Sequence, residues 1–419
     1  MVAMQSRSSV SLRRRDFLRG AATAAAAIAV GVGTDRGAFG GAATTTGSSL
    51  GGAELVKFPE KVPLILNTDR PPNLETPLAY FQHDLTPNEA MYVRWHLGIT
   101  PTRVDTATFR LSLGGHVERP VQWSLDELRK GFEPVSVVAV NQCSGNSRKY
   151  FEPRMPGVQW GNGALANARW TGVRLKDLLA KAGIKAGAVD VRFEGLDGPT
   201  LPAAEKFQGT PDFIKSLAVD RANDGEVMVA YEVNGRPLPM LNGFPLRLVV
   251  PGWYATYWMK SLRDITVLDK PFDGFWMAKA YRVPPTKNYQ ELPKELAKET
   301  VPITTMTVRS LFVRPAPDER VVAGQPYDVQ GIALDGGKGI RRVEISLDGG
   351  KSWREARLDR DMGNYSWRRW RFDWRPERGR HRLMVKATNA AGDTQTTAPQ
   401  WNRSGYARSV IESIEIEAA

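Results

Sequence analysis

Residues 141–148 read NQCSGNSR and contain Cys143, the only cysteine of the 419-residue chain. The apolar run over residues 135–140 has the length of a buried strand, and glycine, serine and asparagine make the stretch after it a loop. A single thiol forms no internal disulfide and cannot bind zinc alone. Three roles stay open for it: an inert buried side chain, a nucleophile, or one thiolate ligand to a metal carried by a cofactor.

The composition is that of a folded protein with two or three domains. Hydrophobic residues make up 42% of the chain and charged residues 24%. The 39 glycines and 28 prolines favour turns and strands over long helices. Outside the N-terminal region no apolar run reaches the ~18 residues of a membrane helix, so no membrane span is predicted in the mature chain.

The net charge of +12 falls to about +8 without the first 40 residues. A basic surface suits an anionic substrate or an acidic partner. No run of Lys and Arg with interleaved aromatic residues indicates a nucleic-acid module, so nucleic-acid binding is not predicted.

The N-terminus has the pattern of an export signal. Arg14 and Arg15 are followed by Asp-Phe-Leu and by the alanine-rich apolar stretch 21–32. This matches the twin-arginine pattern S-R-R-x-F-L, except that Arg13 stands in place of the serine. The prediction is a twin-arginine signal peptide over residues 1–40, a linker over 41–54 and a periplasmic location. An ordinary secretory signal is the alternative.

The body of the chain mixes strands with few helices. Alternating apolar residues predict strands at 91–96, 108–113, 189–193, 227–231 and 248–250. Helices are predicted over 124–128 and 173–182, and residues 144–172 read as loop. Asn234-Gly235 is a hairpin signal. These elements predict an α+β domain over residues 55–303.

Short alternating strands with turn signals begin at about residue 308. Residues 348–350 are one such turn signal, and Trp367, Trp370 and Trp374 alternate along a later strand. Some seven strands over roughly 110 residues predict an immunoglobulin-like β-sandwich over 304–419. The alternating tryptophans are assigned to its core.

Five ordered blocks of the sequence resemble the sulfite oxidase family of molybdenum enzymes, in particular its bacterial periplasmic sulfite dehydrogenases. The blocks are residues 92–96 (YVRWH), 141–146, 193–197 (FEGLD), 242–247 (NGFPLR) running on to 260, and 401–402 (WN). The resemblance covers about residues 55–419. It implies a sulfite-oxidase-type molybdopterin-binding domain followed by the sandwich.

The resemblance implies that the thiolate of Cys143 binds the molybdenum of a molybdopterin cofactor. A thiolate is a soft ligand, and binding to a highly charged metal deprotonates it. The positions implied to contact the cofactor are Tyr92, Val93, Arg94, Trp95, His96, Asp197, Asn242, Arg247, Trp258, Met259 and Lys260. Arg247 and Lys260 carry charge suited to the pterin phosphate. Asn242 departs from the histidine of the animal enzymes and supplies no positive charge.

The resemblance also assigns substrate-binding and catalytic roles. Arg94 and Arg148 match anion-binding arginines, Tyr281 matches a tyrosine that hydrogen-bonds near the substrate, and His96 is an active-site histidine. A further arginine is expected from the C-terminal segment, with Arg408 preferred over Arg403. Together these residues would surround a doubly charged anion with fixed cations.

The implied function is periplasmic oxidation of sulfite to sulfate, with electrons passed to a separate cytochrome c. The sequence has no Cys-x-x-Cys-His motif, so no c-type haem is expected in this chain. The histidines are too scattered for a zinc or haem site; they are His83, His96, His116 and His381. The chain is expected to act as a homodimer or as a heterodimer with a cytochrome subunit.

Two other functions stay open. One is a periplasmic methionine sulfoxide reductase built on the same molybdenum domain, although such proteins lack the C-terminal sandwich. The other is a non-catalytic exported binding protein in which the thiol is structural. Metal analysis distinguishes the second from an enzyme.

Overall fold

The computed structural model describes residues 44–50, 53–198, 212–316, 319–398 and 400–419, with side chains described from residue 54 onward. The predicted signal peptide over residues 1–40 lies outside this range. Residues 43–419 form one compact unit. Within the described ranges no helix is long and apolar enough to cross a membrane.

Short strands dominate the first three quarters of the described chain. The strands are β1 (Thr44–Leu50), β2 (Ala53–Lys57), β3 (Leu64–Thr68), β4 (Asn73–Glu75), β5 (Val93–Arg94), β6 (Leu111–Gly115), β7 (Val121–Trp123), β8 (Val135–Gln142), β9 (Leu165–Arg174), β10 (Asp190–Gly195), β11 (Ile214–Ala218), β12 (Met228–Val233), β13 (Arg236–Pro237), β14 (Arg247–Val249), β15 (Leu262–Leu268), β16 (Arg282–Val283) and β17 (Val301–Pro302). The α-helices are α1 (Leu125–Gly131), α2 (Leu175–Ala182), α3 (Val219–Ala222) and α4 (Phe275–Ala278). Single 3₁₀ turns lie at Leu78–Gln82, Asn88–Ala90, Arg148–Tyr150, Met240–Asn242, Ala255–Tyr257 and Lys287–Tyr289.

These strands form three sheets and one small pair, β16 with β17. The first sheet runs β1 to β5 in chain order, and the second has the order β11-β10-β15-β6-β7, with β15 and β6 parallel. The third has the order β13-β12-β9-β8, with β14 also pairing with β12. In the third sheet β8 pairs with β9 along its whole length, from Val135 opposite Gly172 to Gln142 opposite Leu165. The end of this fully paired strand fixes the position of Cys143.

In this region one predicted helix is confirmed with a later start, and one predicted loop was wrong. The helix predicted from residue 173 begins at Leu175, because Val173 still pairs with Val229 as a strand residue. The loop predicted up to residue 172 contains strand β9 from Leu165 onward. The start of β9 reads Leu-Ala-Asn-Ala, with no β-branched residue, and it is a strand because β8 pairs with it, while β12 pairs with the second half of β9. Tertiary pairing overrides weak local propensity here.

The C-terminal region is a two-sheet sandwich. Its strands are β18 (Arg309–Arg314), β19 (Tyr327–Leu334), β20 (Ile340–Ser346), β21 (Arg354–Glu355), β22 (Arg357–Leu358), β23 (Arg368–Trp374), β24 (Gly379–Asn389) and β25 (Glu412–Ala418). One sheet has the order β18-β19-β23-β22 and the other β21-β20-β24-β25. The predicted fold class, α+β followed by an all-β sandwich, is confirmed.

The alternating tryptophans of β23 are core residues, as predicted. Trp370 is fully buried in the sandwich, and its Nε1 donates to Ser310 Oγ at 2.9 Å. Trp367 packs instead in the core of the preceding domain, edge-on to Phe81 at 5.1 Å between ring centroids. Trp367 lies directly before β23, so neighbouring residues of the chain contribute to the two different cores.

A buried ionic cluster joins the sandwich to the loop after Cys143. Arg309 Nη2 donates to Ser147 Oγ at 2.6 Å, to Asn162 Oδ1 at 3.0 Å and to Glu412 Oε1 at 2.6 Å. The Arg309 side chain is only 1% exposed. The C-terminal domain is thus hydrogen-bonded to the loop that follows Cys143.

Candidate functional site

Cys143 opens onto a cavity with an empty volume of about 410 Å³. The lining residues are Tyr92, Arg94, His96, Asn141, Cys143, Ser144, Leu241, Asn242, Arg247, Ala255, Thr256, Lys260 and Tyr281. They come from the end of β8, the turn before β14, the turn after it and the segments around β5 and β16. The structure therefore gathers residues from three of the five sequence blocks, with Tyr281, around one thiol.

Cys143 is fixed by its backbone. Its N–H donates to the carbonyl of Ala164 at 3.0 Å, and its own carbonyl accepts from the N–H of Asn146 at 3.0 Å. The Asn146 side chain accepts from the N–H of Ala164 at 2.9 Å, which closes the turn. The residue is buried, at 7% exposure, and its thiol is free. As the only thiol among the lining residues, Cys143 can supply a single thiolate, so the other ligands of a metal here would come from a cofactor.

Three cations line the cavity, and among the described residues none has a carboxylate within ion-pair distance. Arg247 is buried and donates to the carbonyl of Asn242 at 2.9 Å and to Asn141 Oδ1 at 3.1 Å. Burial lowers the pKa of Arg247 to about 10. The other two are Arg94, which donates to Asn73 Oδ1 at 3.2 Å, and Lys260. A buried cation without a counter-ion is costly, so an anionic ligand would stabilise this arrangement.

Lys260 and Asp197 are a buried pair of opposite charge. The Lys260 ammonium lies 4.4 Å from the ring centroid of Trp95. Burial lowers the pKa of Lys260 and raises that of Asp197, and each group opposes the shift of the other. The two side chains form no direct ion pair. Lys260 lines the cavity and Asp197 does not, so the lysine is available to an anion there.

A second buried lysine lies behind Asn242. Lys61 Nζ donates to Asn242 Oδ1, to the carbonyl of Asn88 at 2.9 Å and to the carbonyl of Met91 at 3.1 Å. Burial lowers its pKa to about 7. Asn242 carries no charge itself, but it is hydrogen-bonded to a cationic group. No motif or spacing in the sequence connects position 61 with position 242.

Buried polar atoms without a hydrogen-bond partner cluster at the cavity. They are His96 Nδ1, Asn141 Nδ2, Ser144 Oγ, Arg247 Nε and Thr256 Oγ1. Tyr257 and Ser261, neighbours of lining residues, also have unpartnered hydroxyls. Buried polar groups in folded proteins are normally satisfied. A thiol, three cations and several unpaired hydrogen-bonding groups fit the metal and phosphate of a molybdopterin cofactor.

Tyr281 and His96 form a hydrogen-bonded pair at one side of the cavity. His96 Nε2 bonds with the Tyr281 hydroxyl, and the imidazole stacks on Phe213 at 3.7 Å between ring centroids. Burial, with Arg94, Lys260 and Lys215 nearby, holds the pKa of His96 well below its usual value. Burial also raises the pKa of Tyr281 above its usual value. Both groups are therefore neutral near pH 7, and the tyrosine keeps its proton to donate.

The structure places Arg148 next to the cavity but not in its lining. The residue is buried, and its guanidinium donates to the carbonyls of Val158 at 3.3 Å and Ser404 at 3.2 Å. It lies 5.0 Å from the ring centroid of Tyr406. Its charge acts on Tyr281, where it opposes the rise in pKa that burial causes.

The structure does not bring either C-terminal arginine to the cavity, contrary to the expectation for Arg408. Arg408 Nη1 pairs with Glu412 Oε1 at 2.6 Å, four residues along the chain. Arg403, the alternative, pairs with Glu291 at 2.6 Å and donates to the carbonyl of Ala297 at 2.6 Å. Each guanidinium is held by a carboxylate elsewhere.

The remaining predicted cofactor residues lie behind the lining. Val93, Trp95, Trp258 and Met259 are fully buried and are not among the lining residues. Trp95 Nε1 donates to the carbonyl of Leu241 at 3.1 Å, and Trp258 Nε1 donates to that of Trp253 at 3.1 Å. They support the lining residues rather than face the cavity.

Several lining residues were not predicted. Asn141 and Ser144 flank Cys143, and that proximity was a usable signal. Thr256 lies within an aromatic run that reads as packing, and Leu241 and Ala255 carry no chemical signal. Tyr406, which contacts Tyr281, lies in the C-terminal segment, where only arginines were predicted to belong to the site.

Two family models match the chain. The oxidoreductase molybdopterin binding domain matches residues 96–276, and the Mo-co oxidoreductase dimerisation domain matches residues 300–418.

Curated relatives cover most of the chain. The sulfite oxidase of Gallus gallus is 32% identical over 357 residues, which span 82% of this chain and 75% of that protein. The NADH nitrate reductase 1 of Oryza sativa subsp. japonica is 33% identical over 297 residues, 67% of this chain and 32% of that protein. The chain spans 63–66% of the length of the mammalian sulfite oxidases that it matches, slightly less than two thirds.

One solved structure matches along both domains. The sulfane dehydrogenase SoxCD from Paracoccus pantotrophus aligns with a TM-score of 0.72 at 25% identity, covering 84% of this chain and 86% of that chain.

Proposed function

The chain belongs to the sulfite oxidase family of molybdenum oxidoreductases, and from this premise we propose that it oxidises sulfite to sulfate and passes the electrons to a separate cytochrome c. One observation carries the proposal. The buried thiol of Cys143 lines a cavity whose cations have no carboxylate partner among the described residues. Such a cavity is suited to a metal cofactor with anionic groups and to an anionic substrate.

The residues present fit a molybdopterin cofactor. The Cys143 thiolate would bind the metal, and Arg247, Lys260 and the Thr256 hydroxyl would hold the anionic part of the pterin. When bound, this cofactor supplies the two-electron redox chemistry. The protein supplies ligation, charge and orientation.

On the substrate side, Arg94 supplies a positive charge and Tyr281 a hydroxyl. His96 has no charge at neutral pH, so it adds no cation and instead orients the Tyr281 hydroxyl through Nε2. The hydroxyl can turn its proton toward an oxyanion in the cavity. A donor fixed in this way stabilises negative charge at low reorganisation cost.

The proposal also covers the location of the protein, its oligomeric state and its electron acceptor. The twin-arginine pattern in residues 1–40 supports export to the periplasm. The match of residues 300–418 to a dimerisation domain supports a dimer. The lack of a Cys-x-x-Cys-His motif in this sequence supports a haem carrier on another chain.

A second candidate is oxidation of a sulfane-sulfur compound. It is considered because neither Arg403 nor Arg408 lines the cavity, so the C-terminal segment contributes no arginine beside Tyr281. The sulfane dehydrogenase SoxCD has the same two-domain fold over most of its length. A methionine sulfoxide reductase is disfavoured by the sandwich formed by β18–β25.

The test is steady-state turnover of the molybdenum-loaded chain. Sulfite, thiosulfate, nitrate and methionine sulfoxide are compared as substrates, with cytochrome c and ferricyanide as acceptors for the oxidations. The proposal expects sulfite to give the highest kcat/KM and cytochrome c to accept the electrons. A loaded chain that leaves sulfite unchanged contradicts it, and preference for thiosulfate supports the second candidate.

Cys143→Ser is the matched variant for that assay. It is expected to fold, with an unchanged far-UV spectrum, and to lose both molybdenum and turnover. If the variant keeps stoichiometric molybdenum, Cys143 is not the ligand.

A further inference from the structure

The segment 402–409 of the C-terminal domain is fastened to the cysteine loop. The N–H of Ala407 donates to the carbonyl of Ser144 at 2.9 Å, next to Cys143. Within the segment, Asn402 Oδ1 accepts from the N–H groups of Ser404 at 3.2 Å and Tyr406 at 3.1 Å. The turn that presents Tyr406 is therefore set by side-chain and backbone bonds on both sides of the residue.

Tyr406 stacks on Tyr281. Their ring centroids are 5.4 Å apart and their planes differ by 4°, an offset-stacked arrangement. The same Tyr406 ring lies 5.0 Å from the Arg148 guanidinium, within cation–π distance. Tyr406 thus contacts both the tyrosine that lines the cavity and the arginine that does not.

Backbone surrounds Arg148 closely, and its guanidinium donates to the carbonyls of Val158 and Ser404. A Cβ at Gly145 would lie 2.8 Å from its Nη2, one at Gly157 would lie 2.6 Å from its Nη1, and one at Gly405 would lie 3.0 Å from its Cγ. Only glycine leaves room for the guanidinium at these three positions. Arg148 is therefore a fixed cation against which the Tyr406 ring rests.

Backbone conformation is unusual at Tyr281 and at the residue that follows Tyr406. Tyr281 itself has φ +56°, and Ala407, directly after Tyr406, has φ +55°. The left-handed region is unfavourable for residues other than glycine, and such residues concentrate at functional sites. The fold holds both rings in place despite this cost.

We propose that Tyr406 is a positioning residue that fixes the ring of Tyr281, so that the Tyr281 hydroxyl stays directed at the substrate position beside Cys143. The C-terminal domain then contributes an aromatic ring to the active site, and not the expected arginine. Arg148 acts on the substrate through this stack. The inference rests on the proposed function in one respect: Tyr281 is taken to bind the substrate that the enzyme oxidises.

Three single variants and one double variant test it in the full-length, molybdenum-loaded chain. Tyr406→Phe keeps the ring and Tyr406→Leu removes it. The expected result is a kcat/KM for sulfite within about twofold of wild type for Tyr406→Phe, and a loss of about tenfold for Tyr406→Leu. In the Tyr281→Phe background, Tyr406→Leu is expected to cost less than twofold, because the hydroxyl that it positions is already gone. Equal losses in both backgrounds, or equal losses for Phe and Leu at position 406, overturn the proposal.

Tyr327→Leu is the matched control. Tyr327 also lies within cation–π distance of an arginine, Arg314 at 5.2 Å, and edge-on to Trp374, but in the sandwich away from the cavity. The kcat/KM of Tyr327→Leu for sulfite is expected to equal that of wild type. A tenfold loss there would show that removing any such ring impairs the enzyme, and would overturn the specific role of Tyr406.

A readout without turnover separates this inference from the proposed function. With 3-fluorotyrosine at position 281, fluorine NMR is expected to give one resonance in the wild type and in Tyr406→Phe, and more than one in Tyr406→Leu. A single sharp resonance in Tyr406→Leu contradicts positioning, whatever the substrate. If the wild type does not oxidise sulfite but the resonances behave as expected, the proposed function fails and the positioning role stands.

Discussion

Replacing Glu412 with glutamine is expected to lower the free energy of unfolding by about 3–5 kcal/mol, the usual cost of breaking a buried ion pair from one side. Glu412 Oε1 accepts from Arg309 Nη2 and from Arg408 Nη1, each at 2.6 Å. The side chains of Arg309, Glu412 and Arg408 are 1%, 11% and 14% exposed. Without the carboxylate, two buried cations face each other and neither has a counter-ion.

Removing Arg309 is expected to cost less. In Arg309→Met, Glu412 keeps Arg408 as its partner, and methionine fills most of the volume of the lost side chain. The cost is then that of the hydrogen bonds to Ser147 and Asn162, about 1–3 kcal/mol. The double variant Arg309→Met/Glu412→Gln is expected to be more stable than Glu412→Gln alone, because it removes one of the two uncompensated cations.

The assay is equilibrium urea unfolding of the three variants and the wild type, followed by tryptophan fluorescence and circular dichroism. Coincident transitions by the two probes establish that the free energies can be compared. If Glu412→Gln is no less stable than Arg309→Met, or if the double variant shows no recovery, then charge compensation at Glu412 is not what joins the sandwich to the cysteine loop.

Three further results are expected. Tyr281→Phe removes the substrate-side donor and should lower kcat/KM for sulfite by roughly 10²-fold with unchanged molybdenum content, measured by steady-state kinetics and metal analysis. Arg148→Ala removes the cation beside Tyr406 and should raise the KM for sulfite about tenfold, roughly 1.4 kcal/mol, and an unchanged KM would show that its charge does not reach the substrate. Burial lowers the pKa of Lys215 from 10.5 to about 7. Between these pH values the unfolded chain binds a proton that the folded chain does not. The free energy of unfolding should therefore rise as the pH goes from 7 to 9. Lys215→Met should flatten that rise in thermal unfolding midpoints, and an unchanged pH slope would contradict it.

Local patterns predicted the elements that carry strong periodicity or a cap. The strand into Cys143 was predicted because residues 135–140 are a largely apolar run of strand length, and α1 because Ser124 can cap a helix. In the structure Ser124 and Glu127 form a capping box, with 3.2 Å and 2.7 Å between the bonded atoms. Strand β9 could not be predicted in this way, since it forms only when β8 and β12 pair with it.

The site shows the same division between local and distant information. Ordered blocks placed Tyr92, Arg94, His96 and Asn242 around the thiol and the resemblance added Tyr281, and the structure brings all of them to one cavity. The expectation for Arg408 did not hold, because residue type alone does not show whether an arginine is held by a carboxylate outside the site. A glutamate four residues later, Glu412, neutralises that arginine, and the residue that reaches the site from this segment is an uncharged ring.

Asn242 shows why charge at this site has to be judged for the whole cavity and not position by position. Taken alone, asparagine in place of histidine removes a potential cation from the cofactor side. In the fold, Lys61 comes from the N-terminal sheet region and donates to Asn242 Oδ1, while the Asn242 amide donates to the carbonyl of Tyr92 at 3.0 Å. Burial lowers the pKa of Lys61 to about 7, so a nearby anion that offsets the lost solvation would favour its ammonium form. The carboxylates near Lys61 belong to Glu60 and Glu89 and lie on its outer side. An anion bound in the cavity would therefore favour the charged form of Lys61. Such an anion would bind more tightly to this protein than the neutral residue at position 242 suggests.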